Sequence, residues 1–217
     1  MSPTPFASAN QPWPTLSTGS NCAPKEGGRQ VLVRRTADGQ TTDVTASYNV
    51  RTRVHEYGGG AYAVAPDAVY FSNFADQRLY RQAHGEAPQP ITPETQLRYA
   101  DYVVDHRRHL LFGVREDHRG PGEAVNTLVT VKCDGDEAGG QVLAAGNDFY
   151  SSPRLSPRWL ATGLAQPESS QHAVGWLRIC GLASERRRLP GHTACGGRLT
   201  ESIFQPEWSP DGVSFYS

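Results

Sequence analysis

Ser202-Ile-Phe-Gln-Pro-Glu-Trp-Ser-Pro-Asp-Gly212 reads as a short strand closing on a tight turn. In such a turn proline presets φ, aspartate bonds its own backbone and glycine takes the left-handed conformation. The phrase returns in part as Ser151-Ser-Pro-Arg-Leu-Ser-Pro157. Weaker copies stand at Ala65-Pro66-Asp67 and at the end of Tyr99-Ala-Asp-Tyr-Val-Val-Asp105. The turns fall at positions 65, 105, 156 and 209, in steps of 40, 51 and 53. That period suits one four-stranded propeller blade per repeat. Pro157, Pro210, Asp211 and Gly212 are then structural turn residues. A β-sandwich also recurs in short strands, but it has no reason to repeat one turn phrase at blade spacing.

Working outward, the interval between two turns divides into four short runs rich in β-branched and aromatic residues, each bounded by Gly, Pro, Asp or Asn. They are Tyr99 to Asp105, His109 to Arg115, Thr127 to Lys132 and Gln141 to Ala144. The preceding interval repeats the plan with Ala61 to Ala65, Ala68 to Ser72, Gln77 to Arg81 and Gln89 to Thr92. Gln30 to Arg35 and Thr41 to Thr45, joined across Asp38-Gly39, read as the last two strands of a blade before that. A single blade cannot bury both its faces, so it needs neighbours on either side and, ideally, a closed ring without edges. The expected fold is all-β, a partial propeller of about three to four blades in an incomplete ring. Its parts are an irregular segment over 1–25, a blade end over 26–50, blades over 51–95 and 96–147, a disrupted blade over 148–199 and a blade start over 200–217.

Bulk composition narrows the function. A formal net charge of −1 over 217 residues argues against nucleic acid as a partner, and no apolar run is long enough to cross a bilayer. Met1 to Gln11 lacks the basic start and apolar core of a secretion signal, so the expectation is cytoplasmic. The four cysteines, Cys22, Cys133, Cys180 and Cys195, form no Cys-x-x-Cys pair and read as free thiols. His106, His109 and His118 cluster in sequence, yet spacing of this kind on a turn reads as solvated surface rather than a metal site. No metal and no cofactor is expected.

The stretch Arg51-Thr-Arg-Val-His-Glu-Tyr-Gly-Gly-Gly-Ala-Tyr62, followed by Val69-Tyr-Phe-Ser-Asn-Phe-Ala-Asp-Gln-Arg-Leu-Tyr80, resembles the amino-terminal propeller of bacterial prolyl oligopeptidase family serine peptidases. The branch is that of acylaminoacyl-peptidases and dipeptidyl-aminopeptidase-like enzymes. Phe149 to Pro157 and Glu201 to Gly212 resemble the same propeller in the same order. The resemblance implies a seven-bladed propeller capping an α/β-hydrolase domain that holds the catalytic Ser, Asp and His. A nucleophile elbow would read Gly-x-Ser-x-Gly, and the sequence contains no such pentapeptide. No catalytic residue is therefore assigned. Arg53, His55, Glu56 and Tyr57 are candidates for a substrate-facing role. The alternative is architectural: Gly58, Gly59 and Gly60 let the chain enter an innermost strand near a crowded axis.

Between Arg158 and Leu199 the resemblance breaks. Where the family has a phrase close to Asn-His-Pro-Asn-Met-Pro-Trp, this chain has Gln166-Pro-Glu-Ser-Ser-Gln-His-Ala-Val-Gly-Trp176. With permitted codons, reading that stretch one base later spells Ser-Arg-Asn-His-Pro-Asn-Met-Pro-Trp. The hypothesis is that the segment is translated out of frame and the frame is restored before Glu201. The nucleotide sequence decides it: codons that fail to spell the phrase in the shifted frame end the idea. The other reading is a diverged blade insertion, and in either case Arg186-Arg-Arg188 is a solvated run.

The function expected from the resemblance is a substrate-gating propeller piece of a serine peptidase, inactive without its hydrolase domain. Its partners would be short peptides and a companion hydrolase chain. Two other readings stay open, a non-catalytic protein-binding propeller module and a frameshifted remnant without function.

Overall fold

The computed structural model describes residues 19–23, 28–36, 38–146, 148–155, 207–208 and 215–216. Every regular element among them is a strand. Strands β1 (Gly19–Ala23), β2 (Arg29–Arg35) and β3 (Thr41–Asp43) form a three-stranded sheet. Strands β4 (Tyr62–Val64), β5 (Ala68–Ser72), β6 (Leu79–Ala83) and β7 (Gln89–Pro90) form a four-stranded one. A second four-stranded sheet contains β8 (Leu97–Asp105), β9 (Leu110–Asp117), β10 (Val125–Lys132) and β11 (Gln141–Ala145). The short pair β12 (Glu207–Trp208) and β13 (Phe215–Tyr216) is antiparallel. Each sheet is an antiparallel meander in sequence order, so the fold is an all-β partial propeller, with no closed barrel.

Burial follows from the blade's place in a stack. The second strand β5 is buried at all five positions, and six consecutive residues of β9 and of β10 are buried, because sheets or loops cover both faces of these middle strands. The outermost strands β3 and β7 are wholly exposed. Two apolar seams join neighbouring sheets. Leu32 and Val50 meet Val69, Phe71 and Tyr80 between the first two sheets. Tyr70, Leu79 and Ile91 meet Leu97, Tyr99, Leu111, Val129 and Val131 between the two blades.

The strands of the two blades fall close to where turn and pattern signals place them. One expectation needs correction: the segment 1–25 is not wholly irregular, because Gly19–Ala23 pairs with β2 from Gly19↔Val33 to Ala23↔Arg29. Gly-Ser-Asn-Cys-Ala has no hydrophobic alternation to announce a strand. Its ladder is made by backbone groups on the free edge of β2, so the sheet has three strands where two were expected.

The first two turns of the repeat are present. At 65 to 68, Ala65 N donates to Ala68 O at 2.8 Å. At the second, the fully buried Asp105 carboxylate accepts from Arg107 N at 3.0 Å, Arg108 N at 3.2 Å and Arg108 Nη1 at 2.6 Å. Pro157, Pro210, Asp211, Gly212 and the whole stretch 158–199 lie outside the described residues. Cys133 is a buried free thiol whose pKa burial pushes up. His109 and His118 flank opposite ends of β9, so the histidine run of the sequence does not gather in space. Among the described residues no helix is long and apolar enough to cross a membrane.

Candidate functional site

The loop 51–60 leads into β4, with segment 51–53 tied to the turn between β5 and β6 and the part from Val54 onward packed on the next blade. Val54, 1% exposed, packs with Ala100, Val114, Leu128, Ala144 and Tyr150. That anchor stabilises by roughly 1.5–3 kcal/mol, the usual worth of a fully buried valine-sized side chain. Around it the backbone makes a tight turn, with Glu56 N donating to Arg53 O and Gly58 N to Val54 O, both at 2.9 Å. His55 and Glu56 lie within that turn at φ 55° and 64°, in the left-handed region that side chains disfavour. Such conformations persist only where surroundings over-determine them.

The surroundings are polar and specific. His55 N donates to Glu116 Oε1 at 2.6 Å, and His55 Nε2 lies 3.2 Å from Asn126 Oδ1. The other Glu116 oxygen is 3.0 Å from His118 Nε2 and 3.6 Å from Arg98 Nη1. Arg98 Nη1 also donates to Arg53 O at 3.0 Å and to Glu56 Oε1 at 2.8 Å. Glu116 is buried, and the Arg98 guanidinium and these donors offset what its charge would otherwise cost. The exposed Glu56 carboxyl is held below the usual carboxylate range, first by its hydrogen bond from Arg98, then by the charge of Arg98, with smaller contributions from His118 and Arg53.

Above this polar base stand three rings. His55 meets Phe149 edge-on with centroids 5.2 Å apart and lies 6.1 Å from Tyr57. Tyr57 is 84% and Phe149 53% exposed, so an aromatic surface faces solvent beside the Glu56 and Arg98 charges. The group can offer apolar contact, a carboxylate and ring nitrogens to a small polar molecule.

The three glycines sit where backbone crosses backbone. A Cβ on Gly60 would meet Asp101 Oδ1 at 2.9 Å, and one on Gly59 would meet it at 3.1 Å and Ala100 Cβ at 3.2 Å. Asp101, at φ 56° in an irregularity of β8, accepts from Gly60 N at 2.6 Å and from Ser152 N at 3.2 Å. Its own N donates to Gly60 O at 2.8 Å. One carboxylate thereby ties the approach to β4, the strand β8 and the chain beyond β11.

Of the residues singled out in the sequence, His55, Glu56 and Tyr57 stand together, while Arg53 turns to a different partner, its guanidinium carbon 4.3 Å from the centre of the Phe74 ring. Sequence reasoning missed Arg98, Glu116, Asn126 and Phe149. The one signal available was Arg115-Glu-Asp117 closing an otherwise apolar strand.

No protein-family model and no curated protein matches the chain. Solved structures do. A Mycobacterium tuberculosis puromycin-hydrolyzing peptidase is 30% identical with a TM-score of 0.56, over 72% of this chain and 28% of its own. Puromycin hydrolase is 31% identical with a TM-score of 0.57, over 69% of this chain and 26% of its own. A serine-to-alanine mutant of puromycin hydrolase complexed with PGG is 33% identical with a TM-score of 0.57, over 65% and 24%. Over the matched part the chain is similar to a propeller-like portion of these peptidases, which are of the prolyl oligopeptidase family. It spans about a quarter of the length of the peptidases it matches. In this propeller portion the Arg53 to Tyr57 loop is fastened to both blades, to the neighbouring one through Val54 and Glu116 and to its own through Gln77.

Proposed function

We propose that this chain is the substrate-gating propeller of a serine peptidase, acting on short peptides together with an α/β-hydrolase unit that supplies the Ser, His and Asp. The observation that carries the reading is the 30–33% identity to puromycin hydrolases across 65–72% of the chain. Acyl transfer by a serine peptidase needs a nucleophile, a base and an orienting carboxylate in mutual hydrogen-bond reach. These 217 residues carry no Gly-x-Ser-x-Gly on which to build one. The propeller's part is therefore to admit and orient. Tyr57, His55 and Phe149 give a peptide apolar contact, and Glu56, held ionised by Arg98, gives its amino group a counter-charge.

Two readouts test this on the chain as it is. Incubation with alanine p-nitroanilide is expected to release no p-nitroaniline above a heat-killed control. The C-terminal amide of the tripeptide Ala-Phe-Ala is expected to shift the NMR signals of His55 and Tyr57. Turnover that co-elutes with the purified chain refutes the catalytic half. Unmoved His55 and Tyr57 signals at millimolar peptide refute the gating half.

A further inference from the structure

A second group on the loop 51–60 is built independently of His55. Arg51 N and Phe74 N both donate to Asn49 O, at 2.9 and 2.8 Å, and Val50 bridges Asn73. Arg53 N donates to Gln77 Oε1 at 2.8 Å, while Gln77 Nε2 donates to Phe74 O at 2.8 Å. Gln77 is buried and held at φ 60°, and Thr52 between the two arginines is buried. The segment 51–53 and the turn between β5 and β6 are thus one fixed unit, from which Arg51 and Arg53 emerge exposed.

Both guanidinium groups lie over the Phe74 ring, with their central carbons 4.8 Å (Arg51) and 4.3 Å (Arg53) from its centroid. A guanidinium stacked by its face is immobilised while its N–H edges stay available. Among the described residues neither edge is used: no carboxylate pairs with Arg51 or Arg53, whereas Arg81, Arg98, Arg108 and Arg119 each have one. Two stacked cations with open N–H edges are a preorganised receiver for a planar oxyanion, because the fork geometry matches a carboxylate and its conformational entropy is already spent.

We propose that Arg51 and Arg53, stacked on Phe74, hold the C-terminal carboxylate of a short peptide. The proposal rests on the reading of this face as peptide-gating and adds to it the end of the peptide that is recognised. Glu56, the counter-charge for the amino end, follows Arg53 by three positions and Arg51 by five, so one loop would meet both ends of an oligopeptide.

The test compares the free acid of Ala-Phe-Ala with its C-terminal amide by calorimetry on the 217-residue chain. The acid is expected to bind about tenfold more tightly, the scale of one charge-assisted hydrogen-bonded contact. That advantage should shrink as salt is raised. The double substitution Arg51→Gln with Arg53→Gln should erase the advantage and leave amide binding as it was. Arg53→Lys, which keeps the charge and loses the fork, should retain part of it. Equal affinity for acid and amide overturns this proposal while leaving peptide gating in place, and binding of neither overturns both. If the double variant unfolds, the acid and amide comparison on the native chain and on Arg53→Lys still decides. A native fold that loses acid and amide binding alike also counts against a carboxylate clamp.

Discussion

Replacing Phe71 by alanine is expected to lower the unfolding free energy by about 3–5 kcal/mol, the usual cost of emptying a buried phenylalanine site. Phe71 has no exposed surface and sits where the first three-stranded sheet meets the first complete blade. Its ring stacks on Tyr80 with centroids 5.6 Å apart and planes 14° apart, and it receives Tyr48 edge-on at 5.4 Å. Leu32 of the neighbouring sheet and Val50 of the connection between the sheets belong to the same cluster. A blade's middle strand cannot collapse into a vacated site, because the sheets on both sides are fixed by their own ladders, so the cavity persists. Domain stabilities are only about 5–15 kcal/mol. The substitution should therefore remove much of the cooperative transition in urea. A midpoint shift worth less than about 1 kcal/mol would mean that this seam does not hold the sheets together.

Gly139→Ala is expected to cost a comparable amount, about 2–5 kcal/mol, through strain rather than a void. Gly139 has φ +73°, and a Cβ there would lie 2.5 Å from Leu97 Cδ1 and 2.9 Å from the Tyr99 hydroxyl. Leu97 and Tyr99 are 2% and 1% exposed, so neither can swing aside. The Gly139 carbonyl is also pinned, accepting from the Tyr99 hydroxyl at 2.9 Å and from Arg115 Nη1 at 3.1 Å. The left-handed conformation alone costs an alanine about 1–2 kcal/mol, and overpacking a filled core adds about 1–3. Gly85 separates the two contributions, since it has φ +77° with nothing within 4 Å of its Cβ position. Gly85→Ala should show only the conformational part. Equal losses at the two glycines would show that crowding at the seam between the blades contributes nothing.

The site was legible in the sequence to the extent that its signals were local. Three consecutive glycines after His55-Glu-Tyr57 marked a place where backbone runs close to something, and it runs against Asp101 and Ala100 of the next blade. What the backbone meets was not legible. Glu116 is 61 positions from the His55 amide it accepts from, and Asn126 is 71 from the His55 ring. A glutamate closing a strand looks like solvated surface until a loop from another blade covers it. Phe74 gave no hint of its two arginines, since the pairing depends on Gln77 turning the hairpin back onto segment 51–53.

By itself, the chain's order of residues determined the blades: short runs of β-branched and aromatic residues, cut by Pro, Asp and Gly, form hairpins through contacts between near neighbours, and their period set the repeat. Tertiary structure alone decided that Gly19–Ala23 is a strand, that β5, β9 and β10 are covered on both faces, and which residues surround His55. The reason is the range of the forces. Turn chemistry and hydrophobic alternation act within a few residues and are written where they act. Edge pairing, seam packing and the satisfaction of a buried carboxylate depend on whichever distant segment the stacked blades bring alongside.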